Sequence, residues 1–377
     1  MMVTGVHLAT GCSDPCCNTD GFPINLVPPA SGKPRGLLAK ARYPDQGGTF
    51  DMSVDTGSPL TFFRRHGEKN QMVLRDFDLL DGQQQPATAV RGRFHGIEVL
   101  PLELSPDGPE AVLGGSLLHN FSVQFDFAKS AMTLWPRQGA TDAFLSVAGY
   151  SVIHFGLLGG AELTAESRPD FLGLTGPVEV PATRVVLRAC GGPAPFDPET
   201  PEPEPTACCT RGDAVTAATG TNLALVMATG VGPLVLSRSA WDRMAAVQAT
   251  PPPEPAPGSA LPIPSLPAPL TDVLWSTIPR LALVNQELDD ANNQGACVDL
   301  GRARRLEWQE QEDHRTHCIQ PCDSDPGDPT KAENGPAYVE FGTNIVVAIV
   351  PDSTALLQSL RAEIRPEGPE IDGLIGA

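Results

Sequence analysis

The residues best suited to chemistry stand at Asp55-Thr56-Gly57-Ser58, directly after Phe50-Asp51-Met52-Ser53-Val54 and before Pro59-Leu60-Thr61. Phe50, Met52 and Val54 alternate with Asp51, Ser53 and Asp55, the period of a strand with one buried face. Gly57 allows a sharp turn and a close approach to a neighbouring segment, and the hydroxyls of Thr56 and Ser58 can bond backbone or carboxylate and so fix the acid. Held this way, Asp55 is a candidate general base towards a water molecule, with Thr56, Gly57 and Ser58 as its orienting loop. Asp, Gly and Ser are also common turn residues, so the tetrapeptide by itself describes a plain turn equally well.

A second segment, residues 111–136, supplies elements that would position the acid. Val112-Leu113-Gly114 ends a short apolar run, Leu117-Leu118 follows it, and Val123-Gln124-Phe125-Asp126 opens a strand pair that continues through Met132-Thr133-Leu134-Trp135-Pro136. In order and spacing the two segments resemble the aspartic proteases, both pepsin-like and retroviral-type. There the Asp-Thr-Gly strand is crossed by a later strand ending in two apolar residues and a glycine, followed by a short helix and strands with the pattern apolar-x-Phe-Asp. The resemblance covers residues 24–137 and implies a β lobe in which Asp55 is one catalytic carboxylate. In residues 66–94, where such enzymes carry a flap over the substrate, there is no tyrosine and no clear glycine-tipped hairpin. His95, in the next strand, reads as a surface residue.

The second half repeats the design. Ala182 to Cys190 reads as a strand, and Leu223 to Leu236 gives an apolar strand, a Thr-Gly pair, then Pro-Leu and further apolar residues. Laid on the first motif, Ala228 stands at the position of Asp55, Thr229 and Gly230 match Thr56 and Gly57, and Val231 matches Ser58. Ser237 to Val247 has the composition of a helix capped by Ser237 or Ser239. Residues 344–351 read as a buried strand, 353–361 as a short helix, and Ile371 to Gly376 as the counterpart of Val112-Leu113-Gly114. Pepsin-like enzymes have two lobes, each donating one Asp-Thr-Gly. The resemblance therefore implies a mainly β chain of two pseudo-symmetric aspartic-protease-like lobes, 24–137 and 138–377, the second degenerate at Ala228-Thr229-Gly230. The helix and hairpin that would follow are not in the sequence, so the second lobe reads as truncated at its C-terminus.

In that family two carboxylates share one proton across a bound water, which supplies an acid and a base at once. Alanine at 228 removes the acid and the coupling together. Three readings follow: a degenerate protein with weak or no peptidase activity, whose cleft serves binding or architecture; an aspartic endopeptidase acting on peptides or proteins as a homodimer that pairs two Asp55 lobes; and a different activity that keeps the loop for its fold. None calls for a cofactor or a metal.

Composition bounds the rest. The 37 Gly, 39 Pro and few aromatics favour strands, turns and long loops. A net charge of −19 argues against nucleic acid or an anionic membrane surface as partner. Residues 1–23 form a separate leader, in which Leu8-Ala9-Thr10-Gly11-Cys12 resembles the end of a bacterial lipoprotein signal. That implies export to the cell envelope or periplasm and a membrane link only through lipid on Cys12. A basic leader is lacking and the apolar run is short, so a chance Gly-Cys pair reads as well. Of nine cysteines, Cys16, Cys17, Cys190, Cys208, Cys209, Cys297, Cys318 and Cys322 remain for disulfides. None falls between 18 and 189, which leaves the Asp55 lobe to its core. His314, His317, Cys318, Cys322 and Cys297 fit no zinc spacing well, and Asp323, Asp325 and Asp328 lack the glycine and distal Glu of a calcium loop. Insertions near 191–206 and 250–269 are rich in proline, and the second is expected to be extended and solvated.

Overall fold

The computed structural model describes residues 22–27, 36–45, 47–81, 93–126, 130–136, 156–158, 162–164, 175–179, 183–192, 221–247, 252–284, 304–305, 337–362 and 370–376. These residues are mainly β. Residues 1–21 with Cys12, most of the cysteines and the histidine-cysteine cluster near 314–322 lie outside them, while Phe22 and Pro23, expected in the leader, belong to the first strand of the first sheet and pair with Leu134 and Thr133.

The first sheet contains β1 (Phe22–Val27), β2 (Leu38–Arg42), β3 (Thr49–Val54), β4 (Phe62–Arg64), β5 (Val73–Leu79), β6 (Arg93–Leu102) and β7 (Ala111–Leu113). After the single-turn helix α1 (Gly115–Leu118), it is completed by β8 (Phe121–Asp126) and β9 (Ala131–Pro136). Six strands run in the order β3-β7-β4-β6-β5-β2, and pairing of β2 with β3 closes them into a barrel. Strands β1, β9 and β8 extend the sheet from β2. Where no clear hairpin was expected within 66–94, β5 and β6 pair antiparallel, with Val73 opposite Val99 and Phe77 opposite Phe94. Their connection, 82–92, lies outside the described residues.

The second sheet follows as β10 (Gly156–Leu158), with β11 (Glu162–Leu163) and β12 (Val178–Glu179) as a separate pair. Then come β13 (Arg184–Gly192), β14 (Thr221–Met227), β15 (Leu234–Ser237), α2 (Arg238–Val247), β16 (Ala256–Pro257), β17 (Leu274–Val284), β18 (Arg304–Arg305), β19 (Ala337–Val350), α3 (Ala355–Ala362) and β20 (Gly373–Ile375). Its strands run β14-β20-β15-β19-β17-β13, and β13 pairs with both β14 and β17, closing a second ring in the same cyclic order.

The registers repeat as well. Met52, Ser53 and Val54 lie parallel to Ala111, Val112 and Leu113, as Leu225, Val226 and Met227 lie parallel to Gly373, Leu374 and Ile375. Phe62 stands opposite Val112 and Leu100, as Val235 stands opposite Leu374 and Ala348. The backbone bonds Arg64 N–H to Glu110 O (2.8 Å) and Glu110 N–H to Asp51 O (2.9 Å) recur as Ser237 to Asp372 (2.7 Å) and Asp372 to Ala224 (2.9 Å). A relation of this detail means that each apolar run and each turn meets the same packing demand twice.

The two barrels are filled differently. In the first, Tyr43, Phe50, Phe63, Phe77, Phe94 and Phe121 form a continuous series of ring contacts with centroids 4.7 to 6.1 Å apart. Each such pair contributes about 0.5–1.5 kcal/mol beyond its buried area. On the corresponding face of the second sheet Leu223, Leu225, Leu236, Ile278 and Leu281 pack with Trp241 and Met244 of α2. Helix α2 is capped as its sequence predicts, the Ser237 hydroxyl accepting from Ala240 N–H at 3.1 Å.

The proline-rich stretch is a correction to its expected solvation. Leu261 and Leu270 bond each other reciprocally at 2.9 Å, and Leu261, Ile263 and Leu266 are buried in one cluster with Leu356, Leu357 and Leu360 of α3. The prolines between them forgo backbone donors, so the segment can lie against the barrel through its leucine and isoleucine side chains. The other insertion begins later than expected, because Gly191 and Gly192 still belong to β13.

Candidate functional site

Strand β3 delivers Asp55 to the junction of the two halves. Asp55 N–H donates to Leu113 O at 3.0 Å, prolonging the β3–β7 pairing, and Ser58 N–H donates to Asp55 O at 3.2 Å, closing the turn. The carboxylate folds back on that turn, its Oδ1 accepting from Gly57 N–H at 2.9 Å. The second half makes the same turn: Ala228 N–H donates to Ile375 O at 2.9 Å, and Val231 N–H to Ala228 O at 3.0 Å.

The two turns face each other through their threonines. Thr56 Oγ1 donates to Met227 O at 2.9 Å and accepts from Thr229 N–H at 3.3 Å. Thr229 Oγ1 donates to Val54 O at 2.8 Å and accepts from Thr56 N–H at 3.2 Å. Each hydroxyl therefore satisfies two backbone groups that the sharp turns would otherwise leave buried and unpaired. Leu37 N–H adds a further bond across the junction, to Thr229 O at 2.9 Å.

This contact leaves no room for side chains at the glycines. A Cβ on Gly230 would lie 2.6 Å from Asp55 Cβ and Cγ, and one on Gly57 would lie 2.6 Å from Ala228 Cβ. Gly230 also brings its N–H to Asp55 Oδ1 at 3.3 Å. The carboxylate thus looks across the junction at an alanine methyl and a glycine backbone. No family model and no curated protein matches this sequence.

Asp55 is 2 % exposed, and that burial pushes its carboxyl above the ordinary carboxylate range. The N–H groups of Gly57 and Gly230, the positive charge of Arg184 and the N–H of Ser58 pull the other way without cancelling it.

Asp55, Thr56, Gly57, Ala228, Thr229 and Gly230 are brought together within one contact, and Ser58 borders it. Of the two kinds of partner expected for the hydroxyls, backbone and carboxylate, both take backbone. Ser58 Oγ donates to Leu60 O at 2.9 Å and Thr56 Oγ1 crosses to Met227, so backbone N–H groups hold the carboxylate. The reason is geometric: the threonine hydroxyls meet orphaned carbonyls of the opposite turn. Cys12 lies outside the described residues, as does every cysteine side chain. Among the described residues no three His, Cys, Asp or Glu side chains cluster as metal ligands, and no helix is long and apolar enough to cross a membrane.

Sequence reasoning missed Arg184, which is 1 % exposed and acts electrostatically on Asp55. A signal was present. Arg184-Val185-Val186-Leu187, laid on Gly36-Leu37-Leu38-Ala39, puts an arginine where the first half has a glycine.

Proposed function

We propose that this chain is a bilobal, aspartic-protease-like protein whose central site holds one carboxylate and does not cleave peptides. The single observation that supports the reading is the Asp55 carboxylate facing Ala228 across reciprocally bonded threonines. Peptide hydrolysis by such a site needs two carboxylates close enough to share a proton, one deprotonating water and the other donating to the carbonyl oxygen. A methyl group at 228 can do neither. What remains is a stable double-barrel scaffold whose junction serves architecture or binding.

The same contact weighs against pairing of two Asp55 turns from two copies. Thr56 is already bonded to Thr229 and Met227 of its own chain, and a homodimer of the retroviral type would have to break those bonds to form equivalent ones. The test is digestion of unfolded casein by the purified chain across acid and neutral pH, with Asp55→Asn alongside. The expected result is no cleavage above that variant; cleavage by the wild type that Asp55→Asn abolishes would overturn the reading.

A further inference from the structure

Between β6 and β7 the chain turns at residues 103–110, and a side chain from another strand fills the turn. Arg64, the last residue of β4, donates from Nε to Glu110 Oε2 at 3.1 Å and from Nη1 to Leu104 O at 3.1 Å. Its Nη2 donates to Ser105 O at 3.0 Å and to Gly108 O and Pro109 O at 3.1 Å. Within the loop, Gly108 N–H donates to Ser105 O at 2.8 Å. Residues 104–109 belong to no strand, so their carbonyls lack ladder partners, and the guanidinium supplies donors in their place.

Four carbonyls and a carboxylate form a surface of acceptors alone, which suits a planar fork of N–H donors and fits a flexible ammonium less well. Glu110 keeps one oxygen for Arg64, and the other lies 2.6 Å from His66 Nε2. The loop leads straight into the central site. Glu110 N–H donates to Asp51 O at 2.9 Å, β7 starts at the next residue, and Leu113 O at its end accepts Asp55 N–H at 3.0 Å. In the second half Asp372 stands at the position of Glu110, and Arg243 of α2 donates to it at 2.6 Å, although Ser237 stands where Arg64 does. A guanidinium at the foot of the central strand is thus supplied twice, from different elements.

We propose that residues 104–110 form a guanidinium-binding site, that Arg64 fills it from within the chain, and that its occupancy sets β7 beside β3 and so fixes the Asp55 turn. Arg64 is therefore a positioning residue, acting on Asp55 through the loop and β7 without touching it. The loop carbonyls would otherwise turn to water, and with them would go the restraint on Glu110 that starts the β3–β7 pairing. Because the ligand is a cation of defined shape, the site should accept the same group supplied free.

The test measures hydrogen exchange of the Asp55 amide in the full chain, with the Ala228 amide, its counterpart in the second half, as the internal control. Arg64→Ala removes the atoms of ethylguanidinium, so that ion is the probe, added below denaturing concentration beside equal sodium chloride or urea. Loss of bonds to a charged group should speed Asp55 exchange about tenfold or more and leave Ala228 unchanged. Ethylguanidinium should restore most of the protection, and the two controls should not. An unchanged Asp55 amide in folded Arg64→Ala, equal acceleration of both amides, or equal restoration by sodium chloride or urea overturns the proposal. Arg64→Lys keeps the charge without the fork and should also exchange faster than wild type at Asp55; a rate equal to wild type would make any cation sufficient and overturn the proposal. Should Arg64→Ala fail to fold, Arg64→Lys carries the test alone. Digestion of casein by the wild type would sink the non-cleaving reading and leave these rates unaffected.

Discussion

Replacing Thr229 by valine tests what holds the two barrels together. Valine keeps the shape of the side chain and deletes only the hydroxyl, which bonds Val54 O at 2.8 Å and receives Thr56 N–H at 3.2 Å. Both partners are backbone groups in the interior of the junction, and leaving such a group unsatisfied costs about 1–3 kcal/mol. Two of them bring the expected loss to about 2–4 kcal/mol, since some relaxation is unavoidable. Thr56→Val removes the mirror pair, to Met227 O and from Thr229 N–H, and should cost about the same. The double variant should cost less than the sum by about 1 kcal/mol or more, because each hydroxyl is positioned by the contact the other maintains. Urea unfolding followed by tryptophan fluorescence, with Trp135 in β9 and Trp241 on the buried face of α2, reports on both halves and gives these values as midpoint shifts. Thr229→Ser, which keeps the hydroxyl, is the control and should lose less than half as much. A Thr229→Val loss below about 0.5 kcal/mol, the range of an ordinary surface change, would refute the idea that the threonines lock the halves.

Gly230→Ala should destabilise by about 1–3 kcal/mol, since its methyl would sit 2.6 Å from the Asp55 side chain, while Gly48→Ala, with open space around it, should change the thermal midpoint little. Ile263→Ala should cost about 2–4 kcal/mol in the same urea assay if the proline-rich segment is part of the second core; a loss typical of exposed residues would return that segment to solvent. Asp372 is buried, and desolvation raises its carboxyl pKa despite the Ala224 N–H at 2.9 Å and the Arg243 guanidinium at 2.6 Å. A raised folded-state pKa contributes stability that is fully present below the unfolded value and is lost as pH rises through the folded value. The stability of wild type relative to Asp372→Asn should therefore be greatest in acid and decline as the buffer is brought to neutrality. Urea midpoints in a pH series that show the opposite slope would contradict the assignment.

Some of this architecture was legible in order and spacing. The alternation ending at Val54, the apolar pair before Gly114, the repeat at residues 223–236 and the Ser237 cap of α2 are all short-range patterns. A strand, a turn or a cap is largely specified by residues within a few positions of one another. The likeness between Asp55-Thr56-Gly57 and Ala228-Thr229-Gly230 was visible for the same reason, since two copies of one local pattern can be laid side by side without knowing where they meet.

Other features were not visible because they arise where distant segments meet. Alternation gave β3 one buried face, yet Ser53 and Asp55 are as buried as Met52 and Val54, because the strand runs into the contact with the second barrel. The burial of Ile263 and Leu266 depends on α3, about ninety positions away in the chain. Arg184 looks in the sequence like an ordinary charged residue in a strand, and only the packing around β13 buries it, with Leu158 of β10 as its strand partner. The sequence by itself determined that one acid-bearing turn has a partner without an acid. Only the tertiary structure decided that the two turns interlock through their threonines, because hydrogen-bond satisfaction is a property of juxtaposed groups, whatever their order in the chain.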